Sequence, residues 1–167
     1  LKSLTNLNIS GNGGLENLIG IDKIDSLISL DISSNDGLKN LKGINNLKWV
    51  TSLNISNNQK IESIAEIENL KSLTVLTIRN NDDLKNIQVI ENLKLLTSLE
   101  IRYNNGLKSL TRLDGLINLE EIITDQKLHI TDLYKLKKLK RIEVPKHFDV
   151  DYKKLSKNNP GVELFRF

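Results

Sequence analysis

Hydrophobic residues recur along this chain with a period of 23 residues, and one unit, LTVLTIRNNDDLKNIQVIENLKL, covers residues 73–95. An aliphatic residue opens six successive units, at Leu4, Leu27, Val50, Leu73, Leu96 and Leu119. An asparagine follows the first five of these residues by eight positions, as Asn12, Asn35, Asn58, Asn81 and Asn104. Two columns kept in such strict register predict a repeat architecture, in which each unit packs against its neighbours.

Each unit contains two different hydrophobic periods. Leu76 and Ile78 flank a polar residue, and this alternation predicts a short strand with its apolar side chains pointing inward. From Leu84 to Leu93 the apolar residues come at every third position, which fits a 3-10 or extended segment better than an α-helix. We therefore expect one strand, a turn at the asparagine and a thin convex return in each unit.

The asparagine column has a structural explanation. A turn that leaves the strand has unpaired backbone groups, and a buried carboxamide can satisfy them as donor and acceptor. We therefore interpret the five asparagines as a ladder inside the stack. Gly14, Gly37 and Gly106 lie two residues further on, where glycine could adopt a positive φ at little cost. Lys60 and Asp83 occupy the same column, so this conformation is not required.

These motifs resemble leucine-rich repeats, and the short convex return is similar to that of bacterial internalin-type proteins. Five consecutive units carry the resemblance, which covers residues 1 to about 144. It implies an α/β, mostly β, solenoid: a right-handed parallel β-stack with short 3-10 or extended convex segments and a C-terminal cap. It also implies a non-catalytic protein-binding role.

We expect about seven coils in residues 1–144, with the first one truncated. The chain opens in mid-repeat without an initiator methionine, so we interpret it as a fragment. In the sixth unit Lys127 replaces the asparagine, and the next unit starts 20 residues on, at Leu139. Its strand is predicted at 141–144, where Pro145 would stop it because proline cannot donate to a neighbouring strand.

Residues 145–167 change in character and predict a C-terminal cap. Asp149 or Asp151 can cap a short helix over 152–157, and residues 162–167 alternate as a final strand. Four aromatic residues are expected to form a lid over the last coil: Phe148, Tyr152, Phe165 and Phe167. The only tryptophan, Trp49, is expected to pack in the turn that enters the third strand, and exposure on the flank is the alternative.

Charge and composition exclude several classes of function. The net charge is +3, with the basic excess in residues 127–167, and a solvated cap explains this excess better than nucleic-acid binding does. Absence of cysteine excludes disulfides and cysteine-ligated metals. No apolar run approaches the roughly 20 residues of a membrane span. His129 and His147 have no obvious carboxylate partner, so we expect no catalytic residue, metal or cofactor.

The remaining candidate for function is the concave face of the predicted sheet. Its outward residues are small and nearly uncharged in the first three units, and larger and charged from the fourth. We expect a protein partner to bind around Arg79, Glu100, Arg102, Tyr103, Ile123 and Asp125. The alternative is that these residues are simply solvated strand positions.

The function that this pattern favours is a monomeric protein-protein interaction module. A bacterial surface or secreted location is favoured over the cytoplasm, because the resemblance points there. The alternative is an intracellular regulatory or sensor segment of a larger multidomain protein. An enzyme is the third and least favoured hypothesis.

Overall fold

A computed structural model describes residues 3–167, and in this range eight short strands form one parallel sheet. The strands are β1 (Asn6–Asn8), β2 (Ser29–Asp31), β3 (Ser52–Asn54), β4 (Val75–Arg79), β5 (Ser98–Arg102), β6 (Glu121–Thr124), β7 (Arg141–Val144) and β8 (Glu163–Arg166). They lie in the sheet in chain order, each hydrogen-bonded to the next.

The register of the sheet follows the sequence repeat. Leu30 of β2 pairs with Leu53 of β3, which pairs with Leu76 of β4, so equivalent positions of neighbouring units lie side by side. The predicted 20-residue unit is confirmed, because Glu121 of β6 pairs with Arg141 of β7.

The return segments opposite the sheet are short, as the three-residue period predicts. Four 3-10 segments occur in residues 3–167, at Ile21–Lys23, Ala65–Asn69, Gln88–Asn92 and Leu113–Gly115. The α-helices are α1 (Ile130–Leu133), in the shortened unit, and α2 (Tyr152–Asn158). None of the helices in this part of the chain has the length and apolar character needed to cross a membrane. The predicted solenoid of parallel strands with 3-10 returns is confirmed.

Rows of aliphatic side chains fill the space between the sheet and the return segments. Leu76 and Ile78 of β4, together with Leu84 and Ile90 of its return segment, have no exposed surface. Each buried side chain of this size contributes roughly 1.5–3 kcal/mol to folding. The core is therefore a continuous column that each coil extends by one layer.

The asparagine carboxamides link successive coils, as shown by the buried Asn58. Its backbone N–H donates to Oδ1 of Asn81 at 2.9 Å, and its Nδ2 donates to the carbonyl of Ile55 at 2.8 Å. The side chains of Asn35, Asn58, Asn81 and Asn104 are buried. Asn12, in the first coil, is exposed. The ladder thus satisfies turn backbone groups that have no access to water.

Gly14, Gly37 and Gly106 do not adopt a positive φ. Two of these glycines are required by close packing between coils instead. A Cβ on Gly37 would lie 2.6 Å from the carbonyl oxygen of Gly13, and a Cβ on Gly106 would lie 2.4 Å from that of Asp82.

The left-handed residue of the turn is the one directly before the asparagine. All five units with the asparagine have a positive φ there, at Gly11, Ser34, Asn57, Asn80 and Tyr103. The turn geometry therefore repeats from coil to coil, while the residue that adopts it changes.

The C-terminal segment adds one more layer to the stack. Asp151 caps α2, accepting the backbone N–H of Lys154 at 2.9 Å. β8 pairs in parallel with β7, and Val150, Leu155 and Val162 supply buried apolar side chains. The boundary at residue 144, which separates repeats from cap, stays a prediction.

Two expectations about aromatic side chains are wrong. Phe165 and Phe167 do not cover the last coil, because their rings lie over arginines on the opposite side of the sheet from the core. Trp49 is 64% exposed. Its neighbours Leu47 and Val50 fill the core at this turn, so the indole ring between them is left in solvent.

Candidate functional site

The open face is the surface of the sheet that points away from the core. Strand alternation and parallel register arrange its residues in columns across the strands. In the middle column Thr77, Glu100 and Ile123 are adjacent, and in the next column Arg79 lies beside Arg102. The structure therefore brings the predicted site residues of β4, β5 and β6 together on one surface.

Glu100 lies between two arginines. Its carboxylate forms an ion pair with Arg79, and it is 4.0 Å from Nη1 of Arg102. The Glu100 side chain is only 15% exposed, whereas that of Arg79 is 44% exposed. The acid is thus held in place by its neighbours, and the Arg79 guanidinium remains accessible to a ligand.

Arg102 is stacked between two aromatic rings. Its guanidinium carbon lies 4.0 Å from the ring centroid of Phe167 and 5.0 Å from that of Tyr103. Its Nη2 donates to the Tyr103 hydroxyl at 2.9 Å. Among residues 3–167 no group accepts a hydrogen bond from its Nε, which is buried. The rings fix the orientation of this cation, a geometry that suits recognition of a planar or acidic group.

Tyr103 has an unfavourable backbone conformation. Its φ is 57°, in the left-handed region, where a bulky side chain is rare and costs roughly 1–2 kcal/mol. The residue remains 48% exposed, so part of its side chain is open to solvent. The other coils have glycine, serine or asparagine at this position.

Asp125 holds the Tyr103 turn in place. Both of its carboxylate oxygens accept the backbone N–H of Tyr103, at 2.8 and 3.0 Å. In an earlier coil the equivalent N–H, that of Asn57, donates to the backbone carbonyl of Arg79 at 2.7 Å. Asp125 is therefore a positioning residue, while the neighbouring Ile123 contributes a partly exposed apolar side chain.

The structure adds residues of the last two strands to this surface. The Arg141 guanidinium lies 4.3 Å from the ring centroid of Phe165, and its Nη2 donates to Glu143 at 2.8 Å. That hydrogen bond, with the carboxylates of Glu121, Glu143 and Glu163, raises the pKa of Arg141 above its usual value.

In the sequence, the alternation of Phe165 and Phe167 indicates that both rings lie on the same face of the last strand. It does not give the 22-residue offset between β7 and β8, in which Arg141 pairs with Glu163. Only this pairing places both rings among the arginines of the open face.

The side chains of this surface can form hydrogen bonds, ion pairs and stacking contacts. In the part of the chain that the structure describes, no three His, Asp or Glu side chains converge in a way that could hold a metal ion. The sequence left two hypotheses for the open face. Either a protein partner binds these groups, or they are simply solvated strand positions.

A parallel β-stack with an asparagine ladder and 3-10 returns is the leucine-rich-repeat fold. Internalin C2 from Listeria monocytogenes has this fold, with a TM-score of 0.80 and 22% identity over 96% of this chain and 69% of that protein. The resemblance to internalin-type repeats is thus confirmed for the fold. No protein-family profile matches the chain, and no curated protein sequence matches it.

Two further solved structures share the fold. A leucine-rich-repeat protein of Leptospira interrogans has a TM-score of 0.59 and 20% identity, covering 99% of this chain and 55% of its own length. The Toll–Spatzle complex of Drosophila has a TM-score of 0.61 and 15% identity, covering 92% of this chain and 28% of that chain. This chain therefore spans only part of each of these larger proteins.

Proposed function

We propose that this protein is a non-catalytic protein-binding module whose partner binds the C-terminal half of the open face. Five of the interacting residues were expected from the sequence: Arg79, Glu100, Arg102, Tyr103 and Ile123. The structure adds two phenylalanines, Phe165 and Phe167. Asp125 acts indirectly, by holding the Tyr103 backbone.

The observation that carries this proposal is the conformation of Tyr103. Asparagine adopts a positive φ more readily than tyrosine, and the chain itself uses asparagine at Asn57 and Asn80. Tyr103 is nevertheless 48% exposed, so much of its side chain is free to contact a partner. Strained residues cluster at functional sites, so we expect the exposed Tyr103 side chain to contact the partner.

The surrounding residue types support the same hypothesis. Arginine and aromatic side chains are enriched at the centres of protein interfaces. Arg102 is already oriented by Tyr103 and Phe167, so binding would cost little additional side-chain entropy. The small polar residues of β1–β3 offer few such anchors.

We further propose that the protein is monomeric and acts as a bacterial surface or secreted protein. Neighbours of the same fold from Listeria and Leptospira support the bacterial assignment. The third neighbour was solved as a complex of two proteins, Toll and Spatzle, and this supports a protein-binding role.

Affinity capture followed by mass spectrometry tests the proposed function. The parent chain, an Arg102→Ala/Tyr103→Asn double variant and a Ser29→Ala/Ser52→Ala control from the other half of the open face serve as baits. A partner retained by the parent and the control should bind the double variant at least about tenfold more weakly in calorimetry. Equal affinity for all three baits would refute the assignment of this site.

A further inference from the structure

A second surface carries exposed apolar residues that the open face does not explain. We define the entry flank as the turn residues that precede strands β2 to β6, namely residues 25–28, 48–51, 71–74, 94–97 and 117–120. Four apolar residues are exposed there: Ile28 by 45%, Trp49 by 64%, Leu95 by 50% and Ile117 by 59%. Exposed apolar side chains that recur on one side of a molecule are typical of interaction sites.

Comparison between coils shows that Trp49 and Leu95 do not stabilise this flank by hydrogen bonding. Ser72 and Asn118 lie one repeat after Trp49 and Leu95, at the equivalent position. Each donates a side-chain hydrogen bond to the preceding coil. Ser72 Oγ donates to the carbonyl of Lys48 at 2.7 Å, and Asn118 Nδ2 donates to the carbonyl of Lys94 at 2.7 Å. Trp49 and Leu95 form no such side-chain bond among residues 3–167. The chain thus forgoes a link between coils and exposes an apolar group instead.

The middle of the entry flank is also positively charged. Lys48, Lys71 and Lys94 occupy one column at 23-residue spacing, and all three are exposed. Within residues 3–167 none of them lies within ion-pair distance of a carboxylate. The Lys94 ammonium instead donates to the carbonyls of Glu91 and Gly115, at 2.6 and 3.0 Å. A partner with negative charge would therefore be complementary to this column of lysines.

The geometry at Trp49 accommodates a side chain. Trp49, Ile28 and Thr51 line an open notch of about 540 Å³, with Asp25 and Ser26 at its other side. Trp49 and Leu95 are two strands apart, which corresponds to about 10 Å at the spacing of roughly 4.8 Å between strands. Two side chains seven residues apart on an α-helix are separated by about the same distance, since each residue rises roughly 1.5 Å.

We propose that the entry flank is a second docking surface, which binds an acidic protein segment carrying two apolar side chains about 10 Å apart. One apolar side chain enters the Trp49 notch, the other packs on Leu95 and Ile117, and the acids between them pair with Lys48, Lys71 and Lys94. The notch at Trp49 favours a peptide side chain over a flat lipid surface, because a single side chain can enter it.

A peptide library displayed on phage tests this inference on the 167-residue chain. Peptides are selected on the parent protein and counter-selected on a Trp49→Ser/Leu95→Ser variant, which carries serine as at Ser72 and should keep the parent melting temperature. Enriched peptides should be acidic, with two apolar residues at helical spacing, and should bind the double variant at least about tenfold more weakly in calorimetry. Lys71→Glu should weaken binding as well.

Trp49 is the only tryptophan and therefore reports directly on this surface. Its emission should shift to the blue when a selected peptide binds, and the control Ser72→Ala should retain the shift although it loses the bond to Lys48. Peptides that bind the double variant as tightly as the parent would overturn the proposal. So would a blue shift produced by phosphatidylglycerol vesicles, or by raising the protein concentration, in place of the peptides. Failure here leaves the Tyr103 site untouched, because the two surfaces share no residue.

Discussion

Single residues of this chain are best judged against the residue at the same position of the neighbouring coils. Asn80 and Tyr103 both adopt left-handed backbone conformations, yet only the second places a bulky ring there. Ser72 bonds to the preceding coil, whereas Trp49 exposes its ring. In each pair the two residues have nearly the same backbone environment. A residue that does not stabilise the coil at such a position is therefore a candidate for contact with a partner.

The first prediction concerns the asparagine ladder. Asn81→Ala should lower the free energy of unfolding by roughly 1–3 kcal/mol, because the buried N–H of Asn58 and the carbonyl of Arg79 lose their partner. Asn12→Ala is the matched control, since Asn12 is exposed and water can replace its bonds. Urea denaturation of both variants measures the difference, and equal losses would contradict a role for burial.

The second prediction separates stability from binding at Tyr103. Tyr103→Asn should leave the free energy of unfolding within about 1 kcal/mol of the parent, because relief of the left-handed backbone offsets loss of the ring's contacts with Arg102. The same variant should lose affinity for the captured partner. Thermal melts and calorimetry provide the two measurements. A variant that is both less stable and fully active in binding would show that the ring serves the fold.

At the scale of the coil, the backbone approach between neighbouring turns is the limiting contact. Gly37 and Gly106 each face a carbonyl oxygen of the preceding coil at a distance that excludes a Cβ. Gly13, in the first coil, has open space around it. Glycine is thus required in this region only where another coil packs against the turn closely enough to contact it.

The third prediction compares two glycine substitutions. Gly106→Ala should destabilise the protein, because its Cβ would lie 2.4 Å from the carbonyl oxygen of Asp82 and one coil would have to shift. Gly13→Ala should be neutral or slightly stabilising, by about 0.4–1 kcal/mol, since it restricts the unfolded chain without a clash. Melting temperatures of the two variants decide, and a neutral Gly106→Ala would show that the turns adjust freely.

For the molecule as a whole, stability comes from coils that each contact only their neighbours along the stack. The core therefore has no single centre, and damage to one layer interrupts the contacts on both sides of it. The two proposed surfaces lie on different sides of this stack, one on the sheet and one on the turns that enter it.

The fourth prediction tests this one-dimensional core. Leu76→Asp should abolish folding of the central coils, because Leu76 is fully buried between Leu53 and Leu99 and a carboxylate has no partner there. Val75→Asp, one residue away on the open face and 37% exposed, should leave the fold intact. Circular dichroism and melting curves distinguish the variants. Retention of the parent melting temperature by Leu76→Asp would refute the stacked core.

Much of the fold could be predicted because the chain repeats itself. The bounds of β7 and the 20-residue step into it follow from apolar spacing, and the adjacency of Arg79 and Arg102 follows from the 23-residue period. The stack of Phe167 on Arg102 could not be predicted in this way. Arg102 lies in β5, and Phe167 follows β8, three strands away. The offset of 22 residues between β7 and β8 differs from the 23-residue repeat, so the repeat does not give their register.

The sequence by itself determined the coil, its strand, its inward-facing residues and the asparagine turn, because alternation and a constant period leave one way to bury the aliphatic rows. Only the tertiary structure decided which turn side chains remain in solvent, which glycines meet a neighbouring backbone, and which rings cover Arg102 and Arg141. Those outcomes depend on distances between coils, and a periodic sequence specifies the order of its coils without specifying how closely each turn approaches the next.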